Sequence, residues 1–161
     1  MRIQGAGGVQ SVGISAFHGT SVVAGPALQV QGYNFPVQVE SGATAVFFGG
    51  SFTCAQAGTG VASRDGAYVQ VDNGVTNSCS TGFSALTAKF RCQSCTANGA
   101  SVGFFAQDGA TLIATSASAP GATTTFNAVN HSYIRAPAPI GTATYSPALT
   151  MTGNVNSVIV P

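Results

Sequence analysis

The chain has 161 residues, which suits one domain able to bury its own core. Only 6% of residues are charged against 45% hydrophobic, with a formal net charge of +1, whereas soluble domains ordinarily carry about a quarter charged residues. Five basic residues dispersed along the sequence cannot neutralise a run of phosphates, so no nucleic-acid partner is expected, and with no apolar run of spanning length no membrane partner is expected either.

Residues 1–25 are glycine-rich and read as an N-terminal arm or docking segment, with Val12, Ile14 and Phe17 as its candidate assembly contacts. The remainder, 26–161, reads as one domain. Leu28 and Val30 alternate with Gln29 and Gln31, and Val37 and Val39 with Gln38 and Glu40, the period-two pattern of half-buried strands. Residues 43–48 form an apolar run, and 68–72 alternate again. Residues 85–92 put Leu86, Ala88, Phe90 and Cys92 on one face. Stretches 102–106 and 111–115 flank Asp108-Gly109, which predicts a hairpin with a type I′ turn. Asp65-Gly66, Asn73-Gly74 and Asn98-Gly99 are further turn signals. Stretches 132–136, 142–146, 148–152 and 157–160 complete the predicted strands. With 21 glycines and seven prolines spread throughout, no helix is expected. Many short strands separated by turns predict an all-β sandwich or jelly roll. No internal repeat of the kind that builds a stacked-coil protein is evident.

Candidate chemistry is sparse. Asp65, Asp72, Asp108 and Glu40 all sit beside turn residues, where short polar side chains serve the backbone. His18 and His131 have no paired nucleophile in any recognisable motif. No catalytic residue, cofactor or resident metal is therefore expected. Cys54, Cys79, Cys92 and Cys95 contain one close pair, where a zinc ribbon normally shows two. Disulfides are the better reading. Three full connectivities exist, and a bond from Cys54 or Cys79 to the Cys92/Cys95 pair is preferred.

Residues 34–53, NFPVQVESGATAVFFGGSFT, and 131–160, HSYIRAPAPIGTATYSPALTMTGNVNSVIV, resemble the early and closing strands of jelly-roll knobs. These are the tumour-necrosis-factor-like and complement-head-like modules that also cap phage fibres and decorate phage heads. The cysteines and the glycine-rich arm depart from that pattern. The resemblance implies a trimeric surface knob.

The charge deficit and the single lysine leave strand edges unguarded, so neighbouring subunits are expected to cover them. The expected function is that of a non-enzymatic assembly protein on the virion surface of a bacteriophage: a capsid cement, decoration or head-fibre protein. Its expected partners are further copies of itself, as a trimer, and the major capsid protein or another particle scaffold. The alternatives are an extracellular pilus subunit joined by strand donation through residues 9–17, and a carbohydrate-binding module.

Overall fold

The computed structural model describes residues 1–5, 11–55, 57–146 and 157–160. Period-two alternation gives strands, as expected, and no helix forms among the described residues. Three sheets share the strands between them. Sheet 1 is built from β1 (Arg2–Gln4), β4 (Gln29–Tyr33), β7 (Ser51–Cys54), β10 (Val75–Asn77) and β13 (Thr96–Asn98). Sheet 2 holds β2 (Val12–Ala16), β5 (Phe35–Val39), β8 (Thr59–Arg64), β11 (Thr81–Leu86), β14 (Val102–Gln107), β16 (Thr124–Val129) and β18 (Tyr145–Ser146). Sheet 3 holds β3 (Ser21–Ala24), β6 (Thr44–Phe48), β9 (Tyr68–Asp72), β12 (Lys89–Gln93), β15 (Thr111–Thr115), β17 (Tyr133–Arg135) and β19 (Val158–Val160).

Each strand pairs in parallel with the strand three places on in the chain as far as β14 and β15. Beyond β13, which meets the next coil through a single bridge from Thr96 to Ser118, sheet 1 has no further described strand, and the partners lie two places on: β14 with β16, β16 with β18, β15 with β17 and β17 with β19. The chain therefore visits sheets 1, 2 and 3 in turn and climbs one strand spacing per circuit. This is a parallel β-solenoid of about six turns. With seven strands in sheets 2 and 3 and a spacing of about 4.8 Å, the stack is roughly 29 Å long.

This arrangement overturns the expected β-sandwich or jelly roll and, with it, the likeness to jelly-roll knobs. It also overturns the reading that no repeat exists. Lys89 lies opposite Thr111 and Thr111 opposite Tyr133, a step of 22 residues each time. The repeat is one of shape and burial. At one inward position it accepts Val37, Val61, Phe83, Phe104 and Phe126, and such tolerance hides it from a search for recurring letters. The Asp108-Gly109 turn forms, with both residues at positive φ (55° and 76°). Its flanking strands β14 and β15 join different sheets instead of pairing with each other. A corner and a hairpin use the same turn chemistry, and only the neighbouring coil decides between them. The predicted strand at 148–152 lies outside the described residues.

The core runs the length of the coil. Phe83 stacks on Phe104 and Phe104 on Phe126, each pair with ring centroids 5.3 Å apart, and all three are fully buried. Inside the corner from sheet 2 to sheet 3, Ala43, Ala67, Ala88, Ala110 and Ser132 stack at equivalent positions, all buried. Where sheet 1 bends into sheet 2, Gly60, Gly82 and Gly103 share a column. A Cβ on Gly82 would lie 2.5 Å from the Ala97 Cβ and 2.7 Å from the Gly103 carbonyl oxygen. Close backbone approach explains this column.

Candidate assembly surfaces

In a solenoid, alternate side chains of each strand point outward and form columns along the stack. The outward columns of sheet 3 run Thr44–Tyr68–Lys89–Thr111–Tyr133–Val158 and Val46–Gln70–Arg91–Ile113–Arg135–Val160. Three of the five basic residues thus share one face, although they are dispersed in the sequence. Arg91 and Arg135 are two strands apart, roughly 9.6 Å at the backbone. Arg91 donates to Gln93 Oε1 at 3.1 Å, and Tyr68 Oη donates to Gln70 Oε1 at 3.3 Å. An open groove of about 440 Å³ runs beside this face, lined by Tyr68, Thr87, Lys89 and Thr111 among others. The clustering is hidden in the sequence because its signal is the 22-residue step, which no recurring letter marks. Sheet 1 carries a neutral counterpart, in which Asn98 Nδ2 donates to Asn77 Oδ1 at 3.0 Å and Asn77 Nδ2 to Ser51 Oγ at 3.2 Å.

The acids serve their own corners and strands. Glu40 accepts from Gln38 at 2.8 Å, Asp72 from Gln70 at 2.9 Å and Asp108 from Asn130 at 2.7 Å. Asp65 accepts from the Thr87 hydroxyl at 3.3 Å. His18 and His131 occupy exposed corners at positive φ.

Cys54 and Cys79 form a disulfide, with Cα atoms 5.1 Å apart. It ties the sheet 1 to sheet 2 corners of two successive coils. The preferred pairing to Cys92 or Cys95 is not made: both of these are free, buried thiols. Cys92 faces the core from β12, and Cys95 donates to the Val71 carbonyl at 3.3 Å. Burial pushes the Cys92 thiol well above its ordinary pKa, helped by its contact with Cys95 and by the nearby Asp72. Among the described residues no group of three or more His, Cys, Asp or Glu could hold a metal ion.

The segment read as an arm supplies β1, β2 and β3, the first coil of the stack. Val12 and Ile14 lie on β2, opposite Phe35 and Val37. Phe17 is 49% exposed at the following corner and meets the His18 ring edge-on. Phe47 and Phe104 are fully buried in the chain's own core. Phe48 is half exposed on sheet 3.

The fold defines the chain as a parallel β-solenoid. No protein-family model matches it, and no curated protein or solved structure does so either.

Proposed function

We propose that the chain is a non-enzymatic structural component of a larger assembly, with a phage virion surface as the setting its composition fits best. Cement, decoration and head-fibre roles all belong to that setting. The observation that carries this reading is the column architecture. The outward chemistry is laid out as strips repeating at one strand spacing, so any contact made on one coil is available again on the next. Such a surface suits a periodic partner. Engagement of all four acids by neighbouring side chains supports a non-catalytic role.

The partners of this reading are further copies of the chain and a capsid scaffold. The trimer was implied by the jelly-roll likeness and loses that support with it. Pilus-type strand donation is disfavoured because β2 is already paired with β5 of its own chain. The test is co-sedimentation of the purified chain with particles that lack it. Saturable, stoichiometric binding is expected. Failure to bind any particle, together with a turnover lost in His131→Ala, overturns the reading.

A second reading, a carbohydrate-binding module, is favoured by one observation: Tyr68 and Tyr133 line up with Lys89 on a face that also holds Arg91 and Arg135. It predicts an acidic glycan as ligand, retained on an anionic polysaccharide column and released by Arg91→Ala combined with Arg135→Ala.

A further inference from the structure

The two ends of the stack differ from its sides. Seven large hydrophobic residues remain exposed among those described: Met1, Phe17, Val23, Phe48, Tyr133, Ile140 and Val160. Met1, Phe17 and Val23 belong to the first coil, and Ile140 and Val160 to the last. Val23 is 71% exposed and Ile140 62%. Repeat proteins need polar terminal caps to remain soluble as single rods. The described end strands of sheet 3 lack them, because β3 reads Ser-Val-Val-Ala and β19 reads Val-Ile-Val. Neither contains the Lys, Pro or charge that guards an edge strand. Among the described residues β3 pairs only with β6, and β19 only with β17.

The register says what fits there. Following the columns of sheet 3 from end to end, Val22 and Ile159 occupy the same inward position, and Val23 and Val160 the same outward position. We infer that copies of this chain stack head to tail. The last coil of one copy docks on the first coil of the next, with β19 adding in parallel to β3. Ile159 then sits over Val22, and Val160 lies beside Val23, so the inward column continues across the junction. The occupant is a second copy because both edges carry the same inside–outside alternation at the same positions. The contact is heterologous and does not close on itself, so it propagates as a filament. This inference rests on the assembly reading above and names the partner as the chain itself.

Two edge variants test it. Val23→Lys blocks the first coil and leaves the last coil free, and Val160→Lys does the reverse. Analytical ultracentrifugation of the full chain over a concentration series should show a ladder of oligomers, with filaments of solenoid width in negative-stain micrographs. Each variant alone should run as a monomer. An equimolar mixture should form a one-to-one dimer through the two untouched ends. Circular dichroism checks that each variant keeps its β spectrum. Ser21→Lys, on the same exposed edge, substitutes for Val23→Lys should that variant misfold. If Val160→Lys self-associates as the wild type does, the contact is first coil to first coil and the inference is wrong. If the wild type stays monomeric at every concentration, the inference also fails. Particle co-sedimentation of that same monomer would leave the assembly reading standing, so the two failures are distinguishable.

Discussion

At the scale of single residues, the inside of the coil is governed by volume. Phe104 lies between two stacked rings, so Phe104→Ala removes contacts on both sides and should cost about 3–5 kcal/mol in urea unfolding. Ala110 sits inside a corner between buried Ala88 and Ser132. Ala110→Leu has no room there and should destabilise by about 1–3 kcal/mol or more. The Cys92 thiol gives a pH signature. Its folded pKa is raised by burial, so above the ordinary thiol pKa of about 8.5 the unfolded chain loses a proton that the folded chain keeps. Stability from this residue is complete below that pH and declines as pH rises further. The urea midpoint should therefore fall between pH 8 and pH 10 (roughly the window above the ordinary thiol pKa) and fall less in Cys92→Ala. Measurement in a Cys54→Ala, Cys79→Ala background prevents thiol exchange from confusing the result.

At the scale of elements, strands and corners are set separately. Strands follow from alternation, and corners from residues that accept positive φ, such as Asp65, Asn73 and Asp108. Each corner then hydrogen-bonds to the one above, as Asn73 N–H does to the Gln93 carbonyl at 2.8 Å and Ser94 N–H to the Thr115 carbonyl at 2.8 Å. The disulfide acts at this level, joining two coils where sheet 1 turns into sheet 2. Its 25-residue separation places its contribution at about 3.5 kcal/mol in the chain-entropy view, so Cys79→Ala should lower stability by about that amount in reversible unfolding. Thiol titration in denaturant should find two reactive groups without reductant and four with it. Four without reductant would remove the bond.

For the whole molecule, stability is distributed along one dimension. Every coil contacts only its neighbours, so losing an end coil removes one interface and leaves the others intact. Deletion of residues 1–25 should keep the β circular-dichroism spectrum while lowering the melting temperature. Collapse of the truncated chain to a coil spectrum would show that the first coil is required for the rest to fold. Parallel pairing across more than twenty residues makes nearly all contacts non-local, and folding should be slow for a chain of this size.

The sequence alone determined the all-β character, the positions of most strands and the turn chemistry at Asp65-Gly66 and Asp108-Gly109. These are local properties: alternation decides which side chains face a core, and backbone sterics decide which residues turn. The charge deficit was equally legible, and it motivated the expectation of assembly. The tertiary structure alone decided which strand meets which. The same Asp-Gly corner serves a hairpin or a coil, and the choice depends on whether 22 residues later another strand offers matching inward volume. The same step gathers Lys89, Arg91 and Arg135 on one face, pairs Cys54 with Cys79 instead of with Cys92 or Cys95, and brings Val23 and Val160 into one column. Such placements are sums over whole circuits of the chain, and no local pattern carries a sum of that length.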